Sequence, residues 1–289
     1  MRFCSSAKTF PHSDGTLQDR MNHPAHVLHP LPDSCSFEQA ALAEPLSVLL
    51  HAARRADLSP SSPSTVLVFG VGAIGLLACA LAKSYGASRV VAIDINRARL
   101  DFALQQGFAQ QVYCLPVPDK AKTTEEQLRR AKENAAAALA EFDMPDGFDI
   151  VFECTGAEPC IQMAIHVRRF SLRVSARNFN ADTPLRLRPV SQAAVTGGKV
   201  MLVGMGSRNV TLPISAAATR EVDIQGTFRY ANTYPTALAL LASGKLPNIE
   251  SIISHRFPLS QSAHAFDLMG KGRDDDGRMV LKVVVGSQP

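Results

Sequence analysis

Residues 65–95 contain the pattern that decides the fold of this chain. They read Thr65-Val-Leu-Val-Phe69, then Gly70-Val-Gly72-Ala-Ile-Gly75, then an apolar run, and finally Arg89-Val-Val-Ala-Ile-Asp94. Short continuous apolar runs predict strands buried on both faces, and the longer run between them predicts a helix. The stretch therefore predicts a strand, a glycine turn, a helix and a second strand that ends in a carboxylate.

The glycines of this turn have the spacing G-x-G-x-x-G, which indicates a dinucleotide-binding fold when it lies between a strand and a helix. Gly70 would allow the tight turn, Gly72 would let the backbone approach a pyrophosphate, and Gly75 would let helix and strand pack closely. We assign Ala73 and Ile74 to the same site, because the free N–H groups and the dipole of a helix start hold phosphates.

Asp94 ends the second strand at the spacing where the dinucleotide fold has an acid. Its carboxylate would accept hydrogen bonds from the adenosine ribose and would repel the additional phosphate of NADP. The predicted cofactor is therefore NAD. The alternative is an ordinary βαβ unit with a glycine turn, and the flanking elements together with Asp94 favour the cofactor site.

The composition is that of a globular protein, with 46% apolar and 19% charged residues in 289. No apolar run approaches the roughly 18–20 residues that span a bilayer, and residues 1–8 lack the apolar core of a signal peptide. The six cysteines include no C-x-x-C pair, which is typical of a reducing compartment. We expect a cytoplasmic protein without a membrane partner.

The formal net charge of +4 comes from one short stretch of the chain. Six arginines lie between residues 168 and 188 with a single acid, Asp182. Because the remaining residues are nearly neutral in total, the sequence predicts no basic face for nucleic acid.

The rest of the chain continues the alternation of strands and helices. Strands are predicted at 111–115, 148–153, 197–204 and 222–226, and helices at 97–106, 124–139 and about 159–167. Further strands at 249–256 and 279–285, with a helix at 236–241, indicate a second lobe. Residues 168–194 show no period and are predicted to form an exposed insertion outside the sheet. The fold class is α/β, with a doubly wound parallel sheet.

Glu44 lies in the apolar run 36–48, which predicts a helix that Pro45 should end or break. On local sequence alone, a solvated or capping glutamate is the favoured interpretation.

Three histidines, His23, His26 and His29, recur at a spacing that aligns side chains on a helix. The neighbouring prolines argue against a helix there, so we interpret them as solvated loop residues rather than as a metal cluster.

Four stretches resemble the zinc-dependent medium-chain dehydrogenases, and specifically their sorbitol and xylitol dehydrogenase branch. They are Leu31-Pro-Asp33 with Ala43-Glu44-Pro45-Leu46-Ser-Val48, Val68-Phe-Gly70-Val-Gly72-Ala-Ile-Gly75 with Asp94-Ile-Asn96, Gly197-Gly-Lys-Val-Met-Leu-Val-Gly204-Met-Gly206, and Thr227-Phe-Arg229-Tyr230-Ala-Asn232-Thr-Tyr-Pro235. The last of these is similar to the signature of the polyol branch. The likeness covers most of the chain outside 168–194.

The resemblance implies a Rossmann domain joined to a GroES-like catalytic domain, in which a zinc alkoxide hands hydride to NAD. Glu44 matches the zinc-binding glutamate of the family, which reverses its interpretation as a solvated residue. Arg229 and Tyr230 match the pair that hydrogen-bonds the hydroxyls of a small polyol. With Glu44 they are the candidate catalytic residues, and a homo-oligomer, either a tetramer or a dimer, is implied.

The resemblance also completes the set of cofactor contacts that we assign. They are Gly70, Gly72, Ala73, Ile74, Gly75, Asp94, Arg99, Val203, Gly204, Phe228 and Arg229. Three regions are expected from it: residues 1–50 as a remnant of the catalytic domain with the linking helix, 51–226 as the NAD-binding domain, and 227–289 as the return to the catalytic domain. Residues 168–194 are an atypical insertion in the second.

The chain departs from the family at the metal site. Its first residues match a point inside the catalytic domain of the family, so the other zinc ligands, a cysteine and a His-Glu pair, have no counterpart. Zinc has three protein ligands in catalytic sites, and Glu44 alone cannot hold it. We therefore expect a shortened, inactive polyol dehydrogenase that binds NADH without converting a secondary alcohol to a ketone.

Two other hypotheses stay open at this point. One is a catalytically dead NAD-binding protein that has lost the metal lobe. The other is a zinc-independent reductase, against which Glu44 and the Arg229-Tyr230 pair argue, because such an enzyme has no use for a ligand glutamate.

Overall fold

The computed structural model describes residues 17–61, 64–117, 119, 121–167, 197–207 and 209–286. The predicted insertion 168–194 lies outside the described residues. Within the described ranges, no helix is long and apolar enough to cross a membrane.

A six-stranded parallel sheet forms the centre of the fold. Its strands are β1 (Thr65–Phe69), β2 (Arg89–Asp94), β3 (Gln111–Cys114), β4 (Ile150–Glu153), β5 (Lys199–Leu202) and β6 (Asp223–Gly226). They lie in the order β3-β2-β1-β4-β5-β6, and every pairing is parallel. This is the strand order of the doubly wound Rossmann fold, so the predicted fold class is confirmed. The order reverses between β1 and β4, where open α/β sheets have their ligand crevice.

The sheet is buried on both faces because its central strands are apolar at every position. In β1, Val66 and Val68 point into one core, and Leu67 and Phe69 point into the other. All four side chains are completely buried. Because successive side chains of a strand lie on opposite faces of the sheet, β1 contributes to two separate cores. A continuous apolar run in the sequence is typical of such a strand.

The helices cover the two faces of the sheet. They are α1 (Phe37–Ala40), α2 (Ala43–Arg55), α3 (Ala73–Ser84), α4 (Arg97–Gln105), α5 (Thr124–Glu141), α6 (Glu158–His166), α7 (Ile214–Thr219), α8 (Tyr234–Ala242) and α9 (Ser262–Lys271). Short 3-10 turns lie at Ala25–Val27, Ile249–Ile252 and Leu259–Gln261. Helices α2, α3, α4 and α8 contribute to one core, and α5 and α6 to the other.

The predicted helix 36–48 is two helices, and the break precedes Pro45 instead of following it. Helix α1 has a capping box between Ser36 and Gln39 and ends at Ala40. Pro45 then lies in the first turn of α2, where its missing N–H costs nothing because that group would have no helical partner. The prediction that Pro45 ends or breaks the helix was wrong, and Glu44 lies in the same first turn.

A second, smaller sheet pairs β7 (Ile253–Phe257) with β8 (Lys282–Val285) in parallel. The strand predicted at 249–256 begins later, because Ile249–Ile252 is a 3-10 turn. The Arg256 guanidinium binds both carboxylate oxygens of Glu38, at 2.6 and 2.8 Å. This bidentate pair connects β7 to α1, so residues 218 positions apart in the chain hold the small sheet against the helix that precedes α2.

The turn between β1 and α3 is closed by a backbone contact that only glycine permits. A Cβ atom added to Gly75 would lie 1.7 Å from the carbonyl oxygen of Gly70. A Cβ added to Gly72 would meet nothing within 4 Å, and its φ of −72° suits any residue. Gly75 is therefore required by the fold, whereas the fold gives no reason for Gly72.

We expect Gly75→Ala to lower the free energy of unfolding by about 1–3 kcal/mol or more, because helix and turn must separate to admit a methyl group. Gly72→Ala should change it by less than about 1 kcal/mol, because a weaker helix cap is offset by a less flexible unfolded chain. Denaturant unfolding of both variants checks this. Equal losses would mean that the contact at Gly75 relaxes freely.

Candidate functional site

The carboxyl end of β1 leads directly into α3 through Gly70 and Gly72. Gly72 is the N-cap of α3, and no side chain caps that helix. The first N–H groups of a helix have no partner within it, so those of α3 are available to an external acceptor. Together with the open space at Gly72, this makes the helix start a cradle for an anion such as a pyrophosphate.

Asp94 lies beside this turn at the end of β2 and is 8% exposed. Its Oδ2 accepts a hydrogen bond of 2.7 Å from the Val71 backbone N–H, and its Oδ1 accepts one of 2.8 Å from that of Asn96. Each carboxylate oxygen has a further lone pair, which a ribose hydroxyl could use. Asp94 therefore also fixes the glycine turn, a role that the sequence reading missed.

Arg99 lies in the first turn of α4, two residues beyond its start. Its Nε is buried and has no hydrogen-bond partner among the described residues. Its backbone N–H is held by the side chain of Asn96, which caps the helix. A buried guanidinium nitrogen without a partner, close in sequence to Asp94, is a donor that a bound nucleotide could satisfy.

Glu153, at the end of β4, is a residue that the sequence reading did not select. It is completely buried, and its carboxylate accepts hydrogen bonds from the N–H groups of Thr155 and Gly156 at 2.8 and 3.0 Å and from the Thr155 hydroxyl. Burial raises the pKa of Glu153, although these hydrogen bonds oppose the rise. A carboxylate at the end of an otherwise apolar strand was the signal available in the sequence.

Val203 and Gly204 follow β5 and lie against the end of β4. Their backbone N–H groups donate to the carbonyl oxygen of Glu153 at 2.9 and 2.8 Å. The loops after β1, β4 and β5 thus meet at one edge of the sheet, where the predicted contacts Gly70 to Gly75, Val203 and Gly204 come together. This is the edge at which open α/β sheets bind ligands.

Phe228, Arg229 and Tyr230 follow β6 in an irregular loop. Phe228 is 58% exposed, and the Arg229 guanidinium lies 5.7 Å from the centre of its ring. Arg229 has a left-handed φ of 51°, which a non-glycine residue adopts at a small energetic cost. The loop thus holds an exposed ring and a guanidinium together.

Tyr230 lines a cavity of about 750 Å³ together with Tyr234 and His29. The Tyr230 ring meets that of Tyr234 edge-on at 5.2 Å, and His29 stacks on Tyr234 at 5.5 Å. Burial, the hydrogen bond with Tyr230 and the charges of Tyr230 and Glu44 raise the pKa of Tyr234. The structure therefore brings the candidate residue Tyr230 into contact with Tyr234, and the charge of Glu44 acts on the same tyrosine.

The three loop histidines are solvent-exposed, as their interpretation required, but they line the same cavity. Among the described residues, no group of three His, Cys, Asp or Glu side chains could hold a metal ion. Glu44 is itself exposed. The described donors thus do not fit a catalytic zinc, which needs three protein ligands, whereas the open helix start and Asp94 do fit a dinucleotide.

Comparisons with known proteins agree with this geometry. The family model of zinc-binding dehydrogenases matches residues 73–177. The sorbitol dehydrogenase of Rattus norvegicus is 36% identical over 99% of this chain and 66% of its own length. A probable D-xylulose reductase of Aspergillus niger is 33% identical over 91% of this chain and 62% of its own length. The chain thus spans less than two thirds of these relatives.

Solved structures have the same fold. An Escherichia coli oxidoreductase of unknown specificity superposes with a TM-score of 0.68 at 26% identity, over 92% of this chain and 62% of its own. The 2R,3R-butanediol dehydrogenase of Bacillus subtilis superposes with a TM-score of 0.62 at 21% identity, over 88% and 59%. With the Rossmann sheet and the glycine turn, the family model and the sequence relatives identify the chain as a member of the zinc-binding dehydrogenase family, with sorbitol dehydrogenases and D-xylulose reductases among its relatives.

Proposed function

We propose that this chain binds NAD at the turn between β1 and α3, as the cofactor-binding part of a polyol dehydrogenase. One observation carries the proposal: Gly72 opens α3 with free space at its Cβ position, beside the buried carboxylate of Asp94. A dinucleotide uses both features, because its pyrophosphate needs an open helix start and its ribose needs an acceptor.

The residues of the site divide the work of holding the cofactor. NAD, when bound, supplies the hydride acceptor of the reaction. The first N–H groups of α3 bind the phosphates, and Asp94 orients the adenosine ribose. The buried Nε of Arg99 donates a hydrogen bond to the same half of the nucleotide. Val203 and Gly204 form one side of the cofactor site at the end of β5.

The substrate that we propose is a small polyol such as sorbitol, xylitol or arabinitol, which would lose hydride from a secondary alcohol and become a ketone. The names of the relatives support this class. Tyr230, on the wall of the cavity, and Arg229 nearby would hydrogen-bond the hydroxyls. A homo-oligomer in the cytoplasm is part of the same proposal.

A second candidate is an NAD-binding protein without catalysis. The observation that favours it is that, among the described residues, no group of three His, Cys, Asp or Glu side chains could hold a metal ion. We therefore derive no step through zinc. The two candidates share the cofactor site and differ in whether a polyol reacts.

The first prediction of this proposal concerns the choice between NAD and NADP. NADH should bind about ten- to a hundredfold more tightly than NADPH, because charged hydrogen bonds from the ribose hydroxyls to Asp94 are worth about 1.5–3 kcal/mol. Calorimetric titration with each cofactor measures both affinities.

The variant Asp94→Ser should reduce the difference between the affinities for NADH and NADPH. The variant also loses the hydrogen bond from the Val71 N–H, which affects both cofactors, so the ratio of the two affinities is the quantity to compare. Asp101→Ser is the matched control, since it removes an exposed carboxylate from α4 that pairs with Arg97. Equal or tighter binding of NADPH by the unaltered chain contradicts the assignment and would point to Arg99 as a phosphate ligand.

The second prediction distinguishes an effect on cofactor binding from an effect on the stability of the fold. Gly72→Ala should weaken NADH binding at least tenfold while the unfolding free energy stays within about 1 kcal/mol, because the methyl group occupies the space that the pyrophosphate needs. Calorimetric titration with NADH gives the affinity. Unchanged affinity in a folded variant would place the phosphates elsewhere.

The third prediction is that this chain turns over no polyol, even with zinc added. A Lewis acid supplies several kcal/mol to alkoxide formation, and Glu44 alone would hold a metal weakly. The assay is NADH production from sorbitol and xylitol, with metal analysis of the purified chain and a sorbitol dehydrogenase as the positive control. Stoichiometric zinc with turnover that a chelator abolishes would overturn it.

A further inference from the structure

The strand order determines which half of a bound dinucleotide lies over which strands. Asp94, for the adenosine ribose, ends β2, and the phosphate-binding turn ends β1. The other nucleotide half is therefore expected on the opposite side of β1, over the ends of β4 and β5. Glu153 ends β4 and lies under this half of the crevice.

The carboxylate of Glu153 is satisfied in hydrogen bonds but is not neutralised in charge. Its donors are the Thr155 N–H, the Gly156 N–H and the Thr155 hydroxyl, all of them neutral groups. Among the described residues it has no ion-pair partner, and no cation lowers its pKa. A fully buried carboxylate without a counter-charge is costly, because desolvation penalises the charged form.

Among the described residues, the ionisable groups that follow β4, and the groups whose charges act on them, cannot supply that counter-charge. Burial raises the pKa of Cys79 to about 12, that of Cys160 to about 11 and that of Cys154 well above its usual range, so all three thiols are neutral. Asp94, whose charge also acts on Cys160, is an acid. Glu158, in the first turn of α6, is an acid that binds Thr211 and Gln162.

We propose that Glu153 is the counter-charge for the oxidised nicotinamide ring, and that it shifts the binding preference of this site toward NAD⁺ over NADH. The inference rests on the proposed cofactor site. The nicotinamide ring carries one positive charge when oxidised and none after it accepts hydride. An unpaired buried carboxylate therefore attracts the oxidised ring and leaves the reduced one unaffected. Glu153 is an electrostatic positioning residue, because its charge acts through the loop that covers it.

The sign of the pH dependence follows from the protonation of Glu153. Its pKa is raised by burial above the ordinary value of 4.5. The contribution to NAD⁺ preference is fully present above that raised pKa and is lost as the pH falls through it. By linkage, bound NAD⁺ must lower the pKa of Glu153, whereas NADH should leave it in place.

The test measures the dissociation constants of NAD⁺ and NADH for the full chain by calorimetric titration, from pH 8 down to a pH at which Glu153 is protonated. In the unaltered chain the ratio of the NADH dissociation constant to the NAD⁺ dissociation constant should decrease as the pH is lowered. In Glu153→Gln at pH 8 that ratio should be about tenfold lower than in the unaltered chain, the size expected for one unit charge at partly screened range, and it should be independent of pH. The glutamine keeps its Oε1 acceptor, which is the atom that all three donors reach.

The matched control is Glu158→Gln, which removes a carboxylate from the same loop and helix without removing the buried one, and should leave the ratio unchanged. If the role of Glu153 were purely structural, Glu153→Gln would weaken the binding of NAD⁺ and NADH by the same factor. That result would overturn the proposal. If Glu153→Gln does not fold, the pH profile of the unaltered chain decides, since a constant ratio excludes the effect. Failure to bind either cofactor would instead refute the proposed NAD site.

Discussion

The backbone contact between Gly75 and Gly70 is the constraint on which the rest of this structure depends. It sets the distance between α3 and β1, and so it fixes where the free N–H groups of the helix start point. The hydrogen bond from the Val71 N–H to Asp94 then ties this turn to the neighbouring strand. A turn held from both sides can present its amides to a phosphate without reorganising, which is how a short loop becomes a binding site.

The fold around the candidate cofactor site could be predicted from the sequence because its determinants are local. The strands β1 and β2, the helix between them and the acid at the end of β2 lie within thirty residues, and each is specified by apolar runs, glycine spacing or one carboxylate. The parallel, doubly wound sheet followed from the alternation of strands and helices, whereas its strand order came from the structure. The error at Pro45 also has a local cause, because a proline is tolerated in a first helical turn and the sequence did not reveal where that turn begins.

The contacts that the sequence could not reveal join distant residues. Nothing near Glu38 or Arg256 predicts their bidentate pair. The same holds for His255 and Asp274, whose side chains meet at 3.2 Å. Tyr230 and Tyr234 are close in sequence, but the stacking of His29 on Tyr234 joins residues 205 positions apart and depends on how the chain packs. Side-chain geometry of this kind is set by tertiary packing, which no local pattern records.

The two halves of the candidate site are therefore under different constraints. The cofactor half is built by loops after β1, β2, β4 and β5, all held by backbone hydrogen bonds inside one sheet, so it exists wherever that sheet folds. A catalytic metal needs ligands that converge from separate segments, and the part of the chain that the structure describes contains no group of three His, Cys, Asp or Glu side chains that could hold one. Replacing metal ligands would leave the sheet unchanged, whereas replacing Gly75 would disturb both the sheet and the candidate cofactor site. For this reason we expect the candidate cofactor site to tolerate changes in metal ligands better than changes in the glycine turn.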